Sequence, residues 1–201
     1  VTRDYKMAIS WYQKAAAQAH PGAQNNLGVM YDEGKGVAQN YPQAMFWYQK
    51  AAAQGYAPAQ ASIGVMYDEG QGVARDRKLA ITWYAKAAAQ ENATGQNNLG
   101  VMYQYGQGVV QDYKQAATLL EKAAAQGYAP AQFNLGVMYS QGQGVLRNYV
   151  EALKWLILAE AGGLEEAKKA RGIIEQRITP EQIADAQRRA DKWSKTKGKL
   201  K

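Results

Sequence analysis

The sequence has no cysteine, one histidine, two phenylalanines and five prolines in 201 residues. Without cysteine there is no disulfide framework, no thiolate metal site and no cysteine nucleophile. With His20 alone, no His–His metal pair exists, and a serine-hydrolase triad would have to be built on that one imidazole. No run of about 18 apolar residues occurs, so there is no candidate transmembrane helix. These absences empty most of the catalytic inventory. The expectation is a chain that is not an enzyme and carries neither metal nor cofactor.

What is abundant is repeated. Leu27-Gly28, Ile63-Gly64, Leu99-Gly100 and Leu135-Gly136 are each 36 residues apart. Met30-Tyr31, Met66-Tyr67, Met102-Tyr103 and Met138-Tyr139 keep the same phase, as do the Gly-x-Gly pairs that begin at Gly34, Gly70, Gly106 and Gly142. Trp11, Trp47, Trp83 and Trp155 share another phase, in which Leu119 replaces tryptophan once. Self-similarity at such a period marks a repeat architecture. Only Tyr105 stands outside the shared tyrosine phases.

Each unit reads as two helices. Asp4, Asn40, Asp76, Asp112 and Asn148 occupy one phase and suit a helix N-cap. Asn40 with Gln43, Asp112 with Gln115 and Asn148 with Glu151 resemble capping boxes. About fifteen helical residues follow, such as Tyr41 to Gln54, before Gly55, Gly127 and Gly163 supply left-handed ends. Pro58 and Pro130 then open the next helix at its first turn. That helix runs through Leu-Gly-Val-Met-Tyr to the Gly-x-Gly loop.

This pattern resembles the Sel-1-like repeats, relatives of the tetratricopeptide repeats. The matching residues include Ala59-Gln60, Ile63-Gly64, Met66-Tyr67, Gly70-Gln71-Gly72-Val73, Asp76, Ala80, Trp83-Tyr84 and Lys86-Ala87-Ala88, with equivalents in every unit. The resemblance implies an all-α fold: a right-handed α/α superhelical solenoid of 36-residue antiparallel helix pairs. Residues 1–163 are the repeats. Val1 falls in phase with Val37, Val73, Val109 and Val145, so the first unit is expected to have its opening helix, and any signal segment, upstream.

The last unit decays, because Arg171 and Glu175 replace leucine and tyrosine in register. Thr179-Pro180-Glu181-Gln182 then makes a strong helix start. Ile183, Ala186, Ala190 and Trp193 form one apolar stripe, while Arg188, Arg189 and Lys192 point elsewhere. A solenoid needs a lid that is apolar inside and polar outside, and 164–194 reads as a degenerate unit and capping helix. Residues 1–144 carry a net charge of +2 and residues 145–201 a net +5, together the +7 of the chain. The excess ends in a basic tail at 195–201, read as a solvated, frayed segment.

Function is sought on the side of the Leu-Gly helix away from its core. Advancing 100° per residue from Leu27 puts Ala23, Met30 and Tyr31 on the buried side. Gly22, Asn25, Asn26, Val29, Asp32 and Glu33 fall opposite, the side that lines the concave groove in tetratricopeptide-like stacks. Val29, Val65, Val101 and Val137 read as an apolar groove floor, or as residues that superhelical packing buries. Asn26, Asn98 and Asn134 form a phase broken by Ser62. Their amides suit the backbone of an extended peptide, or a hydrogen bond between helices. Neighbouring phases vary along the chain: Asn25, Ala61, Asn97 and Phe133 in one, Glu33, Glu69, Tyr105 and Gln141 in another. With Asp32 and Asp68, the early end reads as acidic and the later end as aromatic, fitting a ligand with a basic part and an apolar anchor. Ordinary solvated helix ends are the competing reading.

His20 shares its phase with Tyr56, Asn92, Tyr128 and Leu164 and reads as a loop filler. The Trp-Tyr pairs read as core. The Gly-x-Gly loops lack the Lys-Ser/Thr of a phosphate loop, and Asp32-Glu33 and Glu165-Glu166 form no acid/base pair. The expectation is a monomeric scaffold that holds a protein or peptide segment. The alternatives are a binder of cell-envelope glycan or peptidoglycan fragments, and an electrostatic binder of nucleic acid or anionic lipid through the basic C-terminus. Nucleic acid and membrane are not the expected partners. The resemblance leans toward an exported or periplasmic bacterial protein, while a cysteine-free chain fits either side of the membrane.

Overall fold

The structure is a computed structural model that describes residues 4–198. Val1 and the last residues of the basic tail, 199–201, lie outside the described residues. Among the described residues there are eleven α-helices and no strand. The chain divides into two compact units, Val1–Gly95 and Gln96–Lys201.

In the first unit, α1 (Tyr5–Ala17), α2 (Pro21–Glu33), α3 (Tyr41–Ala53), α4 (Ala57–Glu69) and α5 (Arg77–Ala89) pack each against the next. Helix α6 (Ala93–Tyr105) spans the boundary. The second unit holds α7 (Tyr113–Ala125), α8 (Ala129–Gln141), α9 (Tyr149–Ala161), α10 (Glu165–Glu175) and α11 (Pro180–Gly198). Helices α7 and α9 pack on α8, and α10 and α11 on α9. The fold is therefore the all-α array of 36-residue helix pairs that the register predicts.

The helix starts follow from their caps. Asp4, Asn40, Asp76, Asp112 and Asn148 each accept the backbone N–H three residues on, satisfying an orphan donor of the first turn. The predicted capping boxes differ in their reciprocal half. The backbone N–H groups of Asn40, Asp76, Asp112 and Asn148 donate to the carbonyls of Tyr31, Tyr67, Tyr103 and Tyr139 at 2.8–3.0 Å, so no glutamine or glutamate is needed there. Between the two partners, Gly34 (φ 68°) ends α2 and Gly36 (φ 76°) follows, both left-handed. The fully reciprocal box is Thr179 with Gln182: Thr179 N–H donates to Gln182 Oε1 at 3.0 Å, and Gln182 N–H to Thr179 Oγ1 at 3.3 Å. His20 is a cap rather than a filler, because its Nδ1 accepts the Ala23 N–H at 3.2 Å. Asn92 does the same for Gly95 at 2.9 Å.

Leu27, Ile63, Leu99 and Leu135 are buried, with Tyr48, Tyr84, Met66, Met102 and Met138. The tryptophans are less buried than core placement predicts. Trp11 is 62% exposed, Trp47 and Trp83 are half-buried, and only Trp155 is buried. Trp47 packs against Ile9, Ala16, Ala23 and Leu27 of α1 and α2, and Trp83 packs against the α3/α4 cluster. Each indole thus covers the core of the preceding helix pair, and no pair precedes α1 among the described residues. Lys14, Lys50 and Lys86 lie over Trp11, Trp47 and Trp83 at 4.8, 5.5 and 4.4 Å, a cation–π arrangement repeated in register.

Glutamine pairs, each with a buried acceptor and an exposed donor, tie neighbouring helix pairs together. Gln54, Gln90 and Gln126 donate Nε2 to Oε1 of Gln24, Gln60 and Gln96, each at 2.8 Å. Gly162 occupies the next donor position. In the second unit Trp193 of α11 meets Trp155 of α9 edge-on, with ring centroids 6.2 Å apart, and Arg189 Nη1 reaches Glu151 Oε1 at 2.6 Å. Helix α11 runs to Gly198 and so includes residues 195–198 of the basic segment.

Candidate functional site

The predicted site residues lie on α2, α4, α6 and α8, and burial separates them into classes. Val29, Val65, Val101 and Val137 are half-buried. Val29 packs against the α3/α4 cluster of Ala44, Met45, Tyr48, Ile63 and their neighbours, so at least part of this valine serves the fold. Asn25 and Asn97, expected on the open side, are buried at 9% and 6% exposure. A helical wheel treats one helix alone; here α2 is flanked by α1 and α3, which leaves little of its circumference to solvent.

The asparagines of the second unit bond to one another. Asn134 Nδ2 donates to Asn97 Oδ1 at 3.0 Å, and Asn97 Nδ2 donates to Asn98 Oδ1 at 2.9 Å. The first unit has Ser62 in place of the second asparagine. Its Oγ donates to the Pro58 carbonyl at 3.2 Å within its own helix, and Asn25 Oδ1 is buried with no partner among the described residues. Asn26 is half-buried.

The early end is less acidic than its sequence. Asp68 faces Arg77 Nε at 3.4 Å and Arg75 Nη2 at 3.8 Å. Glu33 pairs with Lys35, and Glu69 accepts from Gln71 at 2.6 Å. Cations from the adjoining loops and from the start of α5 thus pair with Glu33 and Asp68, while Glu69 meets an uncharged amide. Asp32 accepts the Tyr48 hydroxyl at 3.2 Å. Burial raises the Asp32 carboxyl from its usual range, against the opposing pull of the Tyr48 hydrogen bond. Burial, then the nearby Asp32 charge, raises the Tyr48 phenol as well.

At the later end Tyr105 is 60% exposed. Phe133 and Asn134 line a recess of about 270 Å³ with Pro130, Leu164 and Glu166. Three of the five linings are apolar, and the polar ones are an amide and a carboxylate. Gln104, which was not among the predicted residues, shares its phase with Asp32 and Asp68. It is 2% exposed; its Nε2 donates to Gln143 Oε1 at 3.2 Å while its Oε1 has no partner among the described residues. Leu120 stands in the register of Tyr48, whose hydroxyl serves Asp32, so the exchange of tyrosine for leucine was the available signal. Among the described residues no group of three or more His, Asp or Glu is placed to hold a metal ion, and no helix is long and apolar enough to cross a membrane.

Compared with protein families, the chain matches the Sel1 repeat over residues 1–20, 21–56, 57–92, 93–128 and 129–164. Among solved structures it is similar to a protective antigen of uropathogenic Escherichia coli with an SLR fold, at 38% identity and TM-score 0.82 over 92% of this chain and 40% of that one. The chain therefore spans well under half of that antigen. A Sel1 repeat protein from Oxalobacter formigenes is 33% identical, with TM-score 0.80 over 100% of this chain and 82% of that one. An immunity protein of Pseudomonas aeruginosa is 25% identical, with TM-score 0.66 over 97% of this chain and 74% of that one. No curated protein matches the chain.

Proposed function

The chain belongs to the Sel1 repeat family, whose members generally serve as protein-interaction scaffolds and are typically non-catalytic, and from that premise we propose that it holds a short extended segment of a partner protein. The site lies on the second unit, where the anchor point is the α8 recess. The observation that carries this reading is the recess itself: Pro130, Phe133 and Leu164 supply an apolar wall, with Asn134 and Glu166 as polar linings. Such a lining takes one apolar side chain and leaves an amide and a carboxylate for the N–H groups or basic side chain next to it. Pockets that combine apolar anchoring with a few polar groups are the usual form of peptide recognition on rigid helices.

Panning a phage-displayed library of random 12-residue peptides on the immobilised protein tests this. Wild type enriches a motif with a single large apolar residue, and Phe133→Ala loses it while keeping the wild-type melting curve. A wild-type protein that enriches no motif sinks the proposal, as does a motif indifferent to both Phe133→Ala and Glu166→Ala.

A further inference from the structure

Helix α9 and the capping helix frame a second recess, which shares no residue with the Phe133 anchor. It measures about 400 Å³ and is lined by Glu151 and Lys154 of α9 and by Arg189, Lys192, Trp193 and Thr196 of α11. At 100° per residue the four α11 positions fall within about 100° of one another, on one face of the helix. The sequence predicts Arg189 and Lys192 to point away from the Trp193 stripe; the structure brings all three to the same hollow. One carboxylate faces three cations there. Glu151 pairs with Lys154 at 2.8 Å and with Arg189 at 2.6 Å, while Lys192 is exposed and stands outside these pairs. The lining therefore carries a net formal charge of +2, three cations against one carboxylate. Asp185 also binds Arg189, at 2.8 Å, but it lies outside the lining and is balanced by Arg188 at 3.2 Å. An ammonium has three N–H groups and a guanidinium five, so donors remain after these bonds are made. Thr196 adds none, because its hydroxyl donates to the Lys192 carbonyl at 2.9 Å. Trp193 is half-buried and meets Trp155 edge-on, with centroids 6.2 Å apart, which gives the hollow a braced apolar wall.

We propose that this recess docks an acidic segment of a partner protein: an aspartate or glutamate with a large apolar residue beside it. The carboxylate takes the Lys192 ammonium and the unused N–H groups of Lys154 and Arg189, charge-assisted bonds that are stronger than neutral ones. The apolar neighbour lies against the Trp193 indole, a wide and rigid contact surface. The match is one of charge: a net positive hollow and a negative side chain steer toward each other and exclude basic segments. The same lining disfavours nucleic acid. A phosphate backbone follows a continuous cationic groove, whereas Glu151 sits between Lys154 and Arg189, and Asp185 and Asp191 interrupt the cations of α11. The site goes beyond the Phe133 anchor and does not depend on it.

The same 12-residue library, panned on the full chain in low and in high salt, tests the assignment. Wild type enriches peptides with Asp or Glu next to a large apolar residue, and high salt weakens that enrichment by screening. Lys192→Gln changes an exposed side chain, keeps the wild-type melting curve and loses the acidic motif about tenfold, the scale of one charge-assisted hydrogen bond. Lys78→Gln, the same change at an exposed position of α5, keeps the motif, and so does Phe133→Ala. Equal losses in Lys192→Gln and Lys78→Gln overturn the assignment, because net charge alone would then be attracting the peptides. A Phe133-dependent motif with no acidic one overturns it and leaves the proposed function standing; an acidic motif lost in Lys192→Gln with no Phe133-dependent one does the reverse. Binding of poly-uridine RNA or phosphatidylserine vesicles that Lys192→Gln abolishes, with no acidic peptide enriched, assigns the recess to a polyanion and also overturns it.

Discussion

The ring of Tyr48 occupies the space that a methyl group on Gly28 would need, and the same relation recurs between Gly64 and Tyr84, where the added Cβ would stand 2.5 Å from Cδ1. The glycine of the Leu-Gly pair is therefore a seat for the aromatic ring of the following helix. Later in the chain the ring becomes leucine, and the added Cβ at Gly100 or Gly136 would meet the Cγ of Leu120 or Leu156 at 3.0 Å. Gly28→Ala and Gly64→Ala should each lower stability by about 1–3 kcal/mol through overpacking. Gly136→Ala should lose less, because its contacts are looser, 3.0 Å to Leu156 Cγ and 3.1 Å to the Ala152 carbonyl oxygen; the roughly 1 kcal/mol of helix propensity that alanine gains is common to all three variants. Urea unfolding of the three variants decides this, and equal losses would show that the ring is not the cause.

How much of this was legible depended on how local each interaction is. The caps at Asp4, Asn40, Asp76, Asp112 and Asn148 concern one turn of backbone, and residue type at a fixed phase was enough to place them. The Thr179–Gln182 box was readable for the same reason. Trp47 was not, because its burial is decided by the core of another helix pair. Asn25 and Asn97 were placed on an open face by angles around a single helix, and the flanking helices close that face. Asp68 looked like a binding carboxylate until Arg75 and Arg77, one loop later, were brought beside it. The Phe133 recess depended on Leu164 and Glu166, which lie 31 and 33 positions away. No pattern within α8 announces them.

Ala19 and Glu91 hold the left-handed conformation (φ 60° and 59°) that Gly55, Gly127 and Gly163 hold in the other units. A side chain in this region costs about 1–2 kcal/mol, and glycine gives back part of that gain through its larger unfolded-state entropy. Ala19→Gly and Glu91→Gly should therefore each stabilise the protein by about 0.5–1 kcal/mol. Gly55→Ala should destabilise it by a similar amount. Nothing lies within 4 Å of the Cβ it would gain, so the loss would be purely conformational. Thermal melts of the three variants give the signs, and a neutral Gly55→Ala would contradict the account.

Glu151 fastens the lid. It accepts from Lys154 Nζ at 2.8 Å and from Arg189 Nη1 at 2.6 Å. Burial opposes its ionisation, but these two partners outweigh burial and hold its carboxyl below the usual range. A folded-state pKa below the unfolded value stabilises the fold at pH above the unfolded pKa, about 4.3 for a free glutamate. That contribution is lost as pH falls through the folded value. Glu151→Gln should therefore cost about 1 kcal/mol or less at pH 7, because Arg189 is half exposed, and almost nothing at pH 3. Melting temperatures of wild type and variant should converge on acidification; a constant gap would mean that the charge is not what matters.

The glutamine pairs test whether a buried polar link contributes to stability or merely avoids a penalty. Gln60 is 6% exposed and accepts from Gln90 at 2.8 Å, while Gln90 itself is exposed. Gln90→Ala leaves the Gln60 carbonyl buried without its donor and should cost about 1–3 kcal/mol. Replacing both partners by apolar residues removes the stranded acceptor, so Gln60→Leu with Gln90→Ala should lie closer to wild type than Gln90→Ala alone. The double-mutant cycle from urea unfolding isolates this coupling. A cycle that closes with additive losses would mean that each glutamine contributes through its own packing, and that the 30-residue spacing of the pairs reflects copying of the repeat without an energetic link.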